Sequence, residues 1–243
     1  MKKQVIIVAG GKGLRMGVDI PKQFLLLDGR PILMHTIEAF YNYDCSIDII
    51  VVIPEDQHSF WRNLCDAYKF DIKHLIVAGG ETRFHSVKNG LKFVDECSLV
   101  AIHDGVRALV TKDIIARTYD VAERCKMACP AISLTDSLRR ILNGKNSGVD
   151  RSAYCLVQTP QVFISNKLLC AYQQDYSDEF TDDVSVVEAH RRCRPMLVEG
   201  SPENIKITTP LDLAIAETII KLRAKNQEFE IMRSAEDIVL SNS

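Results

Sequence analysis

Residues 5–17 read VIIVAGGKGLRMG. The apolar and largely β-branched residues Val5–Ala9 predict a strand that is buried on both faces. A glycine-rich loop, residues 9–17, follows at the end of this strand, where open parallel sheets bind their ligands. Because glycines let backbone amides approach an anion closely, the loop is a candidate anion site, with a tight turn that binds nothing as the alternative.

Strand and helix patterns alternate through most of the chain. Beyond the first strand, strands are predicted at Asp48–Ile53, Lys73–Ala78, Leu99–His103, Cys129–Leu134, Met196–Glu199 and Asn204–Ile207. Helices are predicted at Pro31–Tyr43, Glu55–Tyr68, Thr82–Asp95, Lys112–Lys126, Ser165–Gln174, Asp182–Arg192 and from Thr209 onwards. This alternation predicts a single α/β domain over residues 1–225, with a Rossmann-like, open, mostly parallel twisted sheet and helices on both faces.

One segment interrupts the alternation. Thr135–Tyr154 has polar alternation and the turn dipeptide Asn143-Gly144, which predict a β-hairpin within a projecting arm of about residues 135–157. Such an arm buries little core by itself, so we expect it to pair with a second chain and to form a homodimer. Residues 226–243 are predicted to form a C-terminal tail or a short extra helix.

The composition is that of an ordinary globular protein. The 243 residues include 30 Lys and Arg against 32 Asp and Glu, a net charge of −2, and 47% are hydrophobic. Collagen-like and disordered chains are excluded, and no basic surplus favours nucleic acid. Apolar runs such as Ile49–Ile53 are far shorter than the roughly 20 residues of a membrane span, and the N-terminus lacks a signal-peptide pattern. We therefore expect a cytoplasmic enzyme with neither a nucleic-acid nor a membrane partner.

The eight cysteines are scattered, and no C-x-x-C pair occurs among them. Cys125 and Cys129 stand close together, but no second pair with zinc spacing accompanies them. Reduced thiols without a metal are therefore predicted, in keeping with a cytoplasmic protein.

Two familiar phosphate-binding loops do not match the glycine-rich segment. A dinucleotide fingerprint would need a glycine where Met16 stands, and a P-loop would need Ser or Thr after Lys12 instead of Gly13. A dinucleotide-dependent oxidoreductase also usually has an acid after the second strand, where Ile53-Pro54 occurs. That enzyme and a catalytically silent nucleotide-binding protein remain the rival interpretations.

Two cations flank the loop. Arg15 lies within it, and Lys22 follows in the segment Pro21-Lys22-Gln23-Phe24-Leu25. Exposed amides and two cations suit a polyphosphate whose charge must be held and redistributed. This combination resembles the sugar-nucleotide cytidylyltransferases, most closely the family that acts on 2-C-methyl-D-erythritol 4-phosphate in non-mevalonate isoprenoid biosynthesis. The resemblance extends from about residue 4 to about residue 223.

The resemblance implies that CMP passes from CTP to 2-C-methyl-D-erythritol 4-phosphate with release of pyrophosphate, assisted by Mg²⁺. It implies catalytic roles for Arg15, Lys22 and Lys206, and acceptor-binding roles for Arg107, Ser137, Arg151 and Thr159. The implied nucleotide-binding residues are Ala9, Gly10, Gly11, Gly13, Gly80, Glu81, Arg83, Ser86 and Asp104, and Asp104 is also the implied metal ligand. Since a phosphate nucleophile is already anionic, this reaction requires no general base.

Three polar segments of the chain have a structural interpretation that does not involve a ligand. Gly79–Val87 would also suit a helix N-terminus capped by Thr82. His103, beside Asp104, is predicted to be a buried histidine with satisfied hydrogen bonds and not a ligand. Thr181-Asp182-Asp183 is predicted to serve mainly as a helix cap.

The chain departs from the family pattern in two places. The usual His-Asp-Ala-Ala-Arg-Pro is here His-Asp-Gly-Val-Arg-Ala, residues 103–108, and Ala9-Gly10 stands where two alanines are common. Both changes lean towards the related ribitol-5-phosphate cytidylyltransferases, which are the alternative function. Val149-Asp150-Arg151 fits the methylerythritol family better.

Overall fold

The computed structural model describes residues 1–11, 20–191 and 193–241, with residue 191 and residues 227–241 described by their backbone alone. The strands are β1 (Lys3–Val8), β2 (Leu26–Leu27), β3 (Arg30–Pro31), β4 (Asp48–Ile53), β5 (Leu75–Ala78), β6 (Leu99–Asp104), β7 (Met127–Ser133), β8 (Arg139–Leu142), β9 (Lys145–Gly148), β10 (Cys155–Val157), β11 (Gln161–Ile164) and β12 (Met196–Glu199). The α-helices are α1 (Ile32–Tyr43), α2 (His58–Ala67), α3 (Arg83–Leu91), α4 (Lys112–Cys125), α5 (Ser165–Ala171), α6 (Asp183–Arg191) and α7 (Pro210–Ser241), with 3₁₀ turns at Lys22–Phe24, Glu55–Gln57 and Arg151–Ala153.

A mixed, mostly parallel sheet forms the centre of the structure. Its strand order is β10-β7-β11-β6-β1-β4-β5, and β12 lies parallel beside β7. β1 pairs in parallel with both β4 and β6, while β11 runs antiparallel between β6 and β7. The predicted Rossmann-like α/β fold is thus confirmed.

The two faces of the sheet carry separate apolar cores. Along β1, Val5 and Ile7 belong to the core that includes Leu33 of α1 and Ile115 of α4. Ile6 belongs to the opposite core, with Val87 of α3. Because successive side chains of a strand point to opposite faces, covering both faces requires an apolar residue at every position. This explains the unbroken apolar run at the start of the chain.

The chain reverses its direction of winding at β1. The connection through α1 leads to β4 on one side, whereas β6 lies on the other side, so the loops that follow β1 and β6 diverge. The two backbones are nevertheless in contact where the loops begin, because the Gly105 amide donates to the Val8 carbonyl at 2.8 Å. A Cβ on Gly105 would lie 2.7 Å from that of Ala9, so this approach requires a glycine.

The predicted arm is a hairpin of β8 and β9 that turns at Asn143-Gly144, both with positive φ. Every residue of β8 and β9 is exposed. The last part of the predicted arm belongs instead to the main sheet, because β10 pairs with β7.

The structure corrects two of the sequence predictions and adds one strand. Residues 204–207 form no strand, although the Ile207 amide donates to the Val106 carbonyl at 3.0 Å. Strand β11 was not predicted, because its four residues are too few to show a period. Residues 226–241 continue α7 instead of forming a tail or a separate helix, in keeping with a segment that contains neither Gly nor Pro.

Within the described ranges, every helix is too short or too polar to cross a bilayer.

Candidate active site

A cavity of about 210 Å³ lies at the carboxyl ends of β1 and β6, where the diverging loops leave room. It is lined by Val8, Ala9, Gly10, Gly11, Lys22, Gln23, Gly80, Glu81, Thr82, Arg83, Ser86, Asp104, Val106 and Lys206. A larger groove of about 920 Å³ lies elsewhere, against the amino end of β4 and the loop before β5. The smaller cavity is the candidate site because the predicted cations Lys22, Arg83 and Lys206 line it together with Asp104.

The acid at the centre of the cavity is Asp104, the last residue of β6, which is only 7% exposed. Lys206 Nζ lies 2.8 Å from its Oδ2, and Arg107 Nε lies 3.7 Å from the same oxygen. Arg83 Nε lies 3.5 Å from Oδ1. Burial by itself would raise the pKa of the Asp104 carboxyl, but Arg83, Lys206 and Arg107 outweigh it and hold that pKa well below its usual range. The carboxylate therefore stays charged and gathers these cations at the cavity.

Lys22 enters the cavity from a 3₁₀ turn that is anchored in the core. The next residue but one, Phe24, is buried and stacks on the indole of Trp61, with ring centroids 5.8 Å apart. Gln23 Nε2 donates to Gln57 Oε1 at 2.8 Å, which ties the same turn to the loop before α2. Gly11 makes room for the lysine, since a Cβ there would lie 3.0 Å from Lys22 Cε.

A second wall of the cavity is the turn that opens α3. The Ser86 hydroxyl donates to the Thr82 carbonyl and accepts from the Gly80 amide, both at 3.0 Å. A Cβ on Gly80 would lie 2.5 Å from His85 Cβ, so the turn can close only around a glycine. Thr82 caps the helix by accepting from the His85 amide, which confirms its predicted capping role. The cap and the cavity wall are thus the same structure.

His103 lies beneath Asp104 and is fully buried. Its Nε2 is 3.2 Å from the Arg107 carbonyl, which can only accept, so Nε2 carries the proton. Its Nδ1 accepts from the Thr159 hydroxyl at 3.1 Å, and that hydroxyl accepts in turn from the Asp104 amide at 3.1 Å. His103 is therefore the satisfied, neutral core histidine that the sequence predicts. Its ring lies edge-on to Phe40, with centroids 4.9 Å apart.

The loop that carries Lys206 is held by buried amides that the sequence interpretation did not single out. Gln158 Nε2 donates to the Ser201 carbonyl at 2.8 Å, and Asn204 Nδ2 donates to the Thr159 carbonyl at 3.0 Å. The Asn204 carbonyl accepts from Arg107 Nη1 at 2.6 Å. Asn204 stands two residues before Lys206, so proximity in sequence was the available clue.

The predicted site residues fall into four groups. The lining residues include Ala9, Gly10, Gly11, Lys22, Gly80, Glu81, Arg83, Ser86, Asp104 and Lys206. Arg107 and Thr159 contact Asp104 from behind the cavity wall. Ser137 and Arg151 are exposed on the arm and do not line the cavity, and the Arg151 guanidinium donates to the Thr135 carbonyl. Gly13 and Arg15 lie outside the described residues.

Residues 4–222 match the model of the 2-C-methyl-D-erythritol 4-phosphate cytidylyltransferase family. The chain belongs to that family. It is therefore a cytidylyltransferase, and methylerythritol phosphate is favoured over ribitol phosphate as its acceptor. The dinucleotide-dependent oxidoreductase and the silent binding protein are not supported.

Similar proteins agree with this assignment. A 2-C-methyl-D-erythritol 4-phosphate cytidylyltransferase of Azobacteroides pseudotrichonymphae is 57% identical over 219 residues, covering 90% of this chain and 99% of that one. The enzyme of the same name from Phocaeicola vulgatus is 54% identical over 220 residues, covering 90% of this chain and all of that one. The crystal structure of 4-diphosphocytidyl-2C-methyl-D-erythritol synthase from Anaerococcus prevotii matches with a TM-score of 0.78 at 28% identity, covering 90% of this chain and 96% of that one.

The sequence interpretation was incomplete for the pair Asp182-Asp183. Asp182 caps α6 as predicted, since its Oδ1 accepts from the Ser185 amide at 2.8 Å. Asp183 is no cap: it is fully buried and its Oδ2 lies 2.6 Å from Arg83 Nη2. The position of an acid in sequence does not reveal which of two neighbours points inwards, so this contact required the structure.

The buried histidine makes the stability of the protein depend on pH. Burial lowers the pKa of His103 from 6.5 to about 4. Between these values the unfolded chain binds a proton that the folded chain does not, so the free energy of unfolding falls as the pH falls. We expect a loss of about 2 kcal/mol from this residue between pH 7 and pH 5, measured by urea unfolding.

His103→Asn removes this titration and should flatten that difference. His190→Gln changes an exposed histidine and should retain the wild-type difference. An equal pH dependence in wild type and His103→Asn would contradict the assignment of a neutral, buried His103.

Proposed function

We propose that this enzyme uses the cavity around Asp104 to transfer CMP from CTP to 2-C-methyl-D-erythritol 4-phosphate, with release of pyrophosphate. The observation that carries the proposal is that Lys22, Lys206 and Arg83 line one cavity around the Asp104 carboxylate, which Arg107 also contacts. The whole chain has a net charge of −2, so this positive charge is local. A small polyanion is the ligand that such a cavity attracts.

In the proposed reaction an oxygen of the acceptor phosphate attacks the α-phosphorus of CTP. The bond from that phosphorus to the bridging oxygen breaks, and pyrophosphate leaves in line. The attacking oxygen is already anionic, so no side chain has to remove a proton from it. His103 would be a poor base in any case, because its Nδ1 is buried and already accepts a hydrogen bond.

The side chains contribute position and positive charge. Lys22 and Lys206 would stabilise the charge that develops on the α-phosphoryl group, together with Arg15 from the glycine-rich loop. Amides from Gly10 to Gly13 would cradle the remaining phosphates. A phosphate that takes Lys206 from Asp104 would exchange one ion pair for another, while Arg83 and Arg107 would remain as partners of the carboxylate.

The cytosine would lie against the turn that opens α3. Gly80, Glu81 and Ser86 form this wall, and Gly10 faces Ser86 across it, where a Cβ on Gly10 would lie 3.8 Å from the hydroxyl. Fixed backbone amides and carbonyls at this turn can distinguish the edge groups of a pyrimidine.

We propose Mg²⁺ as the cofactor, with Asp104 as its ligand from the protein. The fit rests on the donor: a charged carboxylate at the cavity is the hard oxygen ligand that this ion prefers. Among the described residues, no group of three or more His, Cys, Asp or Glu is placed to hold a metal, so phosphate oxygens would complete the coordination. When bound, Mg²⁺ would neutralise phosphate charge and polarise the α-phosphoryl group.

We further propose a homodimer in which the arm of one chain completes the acceptor site of the other. Ser137 and Arg151 are exposed on the arm, away from the cavity of their own chain. Apolar side chains of the arm are also exposed, including Ile141 at 77% and Leu142 at 57%. In the dimer, a second chain would cover this apolar surface. Ser137 and Arg151 of one chain would then lie at the acceptor site of the other chain.

A cytoplasmic location fits this proposal. All eight cysteines are free thiols, including five that are exposed, which suits a reducing compartment.

The activity can be tested by pyrophosphate release from CTP in the presence of Mg²⁺. Methylerythritol phosphate should support turnover, ribitol 5-phosphate should support little, and excess EDTA should abolish the reaction with either acceptor. Equal rates with both acceptors would contradict the assigned acceptor, and full activity in EDTA would contradict the metal.

Removal of a cavity lysine should impair the reaction without unfolding the protein. Lys22→Ala and Lys206→Ala should each lower kcat by about 10²–10³-fold, as for other lost donors to a developing charge. Lys92→Ala, an exposed lysine that does not line the cavity, is the matched control and should keep the wild-type rate. A loss below threefold in either cavity variant would contradict the role given to that lysine.

The arm can be tested by sedimentation. Ile141→Asp should convert the wild-type dimer to monomers and raise the KM for the acceptor more than that for CTP, because only the acceptor site needs the partner. Phe93→Asp, at an exposed apolar residue after α3, should remain dimeric. A wild-type monomer with full activity would refute the proposed assembly.

A further inference from the structure

Arg83 is held from two sides by carboxylates that differ in their surroundings. It stands in the first turn of α3 and lines the cavity, with its side chain 30% exposed. Its Nε is 3.5 Å from Asp104 at the cavity, and its Nη2 is 2.6 Å from Asp183 on the opposite side. One guanidinium thus joins the ends of β6, α3 and α6.

Asp183 is sealed from solvent and cannot meet a substrate. Its side chain is 0% exposed, and its Oδ1 accepts from the Tyr172 hydroxyl at 2.7 Å. Its backbone amide and that of Val184 both donate to Gln161 Oε1, at 3.1 and 3.0 Å. Gln161 lies on β11, so the start of α6 is fixed to the sheet and the carboxylate has no freedom to follow a ligand.

From this geometry we infer that Asp183 is a positioning residue for the nucleotide. It holds the Arg83 guanidinium at the cavity wall in a fixed orientation, whichever cation is paired with Asp104. The inference rests on the proposed function, because it assigns a purpose to the same cavity.

The physical reason lies in the competition for Asp104. Lys206 and Arg107 already contact its Oδ2, and the proposed Mg²⁺ would contact it too. Without Asp183, the guanidinium of Arg83 would have Asp104 as its remaining anionic partner and would be drawn onto it. With Asp183 in place, Arg83 keeps a buried counter-ion on the side away from the cavity. Its orientation then does not depend on which cation is paired with Asp104.

The same pairing defines what Arg83 offers to CTP. Burial disfavours the charged guanidinium, but Asp183 and then Asp104 outweigh it and raise the pKa of Arg83 above its ordinary value. A guanidinium already neutralised from behind contributes little net charge. It contributes N–H donors in a planar, fixed array, which suit recognition of the nucleotide better than stabilisation of the transition state.

The decisive experiment compares Asp183→Asn with wild type in the pyrophosphate assay. The amide keeps the shape of the side chain but removes its charge, so Arg83 should turn towards Asp104. We expect the KM for CTP to rise about 10- to 100-fold, as for the loss of one charge-assisted hydrogen bond, with kcat changed less than threefold. Asp175→Asn is the matched control, because it makes the same change at an exposed acid that does not line the cavity, and its KM should remain at the wild-type value.

A double-mutant cycle separates positioning from general support of the fold. In an Arg83→Gln background, Asp183→Asn should change kcat/KM for CTP less than twofold, because the residue through which it acts is gone. Arg83→Gln alone leaves the buried Asp183 carboxylate without a cation, whereas the double variant removes that charge and should unfold at a higher temperature. Arg83→Lys keeps a partner for Asp183 and should fold like wild type, yet it should raise the KM for CTP.

Each outcome bears on a different claim. Absence of pyrophosphate release by wild type would refute the proposed function and not this inference. With wild type active, an unchanged KM for CTP in Asp183→Asn would overturn the inference. It would also be overturned if Asp183→Asn lowered kcat/KM for CTP equally in wild type and in Arg83→Gln. If Asp183→Asn does not fold, a wild-type KM in Arg83→Lys would overturn it.

Discussion

Asp104 places a nearly buried negative charge at the carboxyl end of β6, and the cavity is organised around the cations that this charge attracts. Lys206 comes from the loop before α7, Arg107 from the loop after β6 and Arg83 from the first turn of α3. A carboxylate of this kind is tolerated in a largely dry position only while it is paired. The fold therefore assembles this cluster of cations by satisfying one acid.

The supports behind these side chains are as specific as the side chains themselves. His103 and Thr159 fix the backbone of Asp104, Asn204 fixes Arg107, and Asp183 fixes Arg83. Each support is a buried polar group with defined partners, so a change in any of them alters geometry more than charge. The geometry of the cavity therefore depends on buried groups behind the side chains that line it.

The sequence alone was sufficient for the alternating architecture, the cavity loops and most of the residues that line the cavity. Apolar runs such as Val5–Ala9 predict sheet strands because both faces must be covered, and Gly80 marks a place where two parts of the backbone approach closely. What could not be predicted depends on contacts between distant segments. Strand β11 is too short to show a period, and Asp183 differs from its neighbour Asp182 only in where it points.

Trp61 is the sole tryptophan of the chain, and it stacks on Phe24, two residues from Lys22. Its indole nitrogen donates to His74 Nε2 at 2.9 Å, so one side of the ring is fixed while the other side follows the lysine turn. The protein therefore carries an intrinsic fluorophore in contact with the turn that bears Lys22. Its fluorescence emission offers a label-free measure of how that turn responds when a ligand enters the cavity.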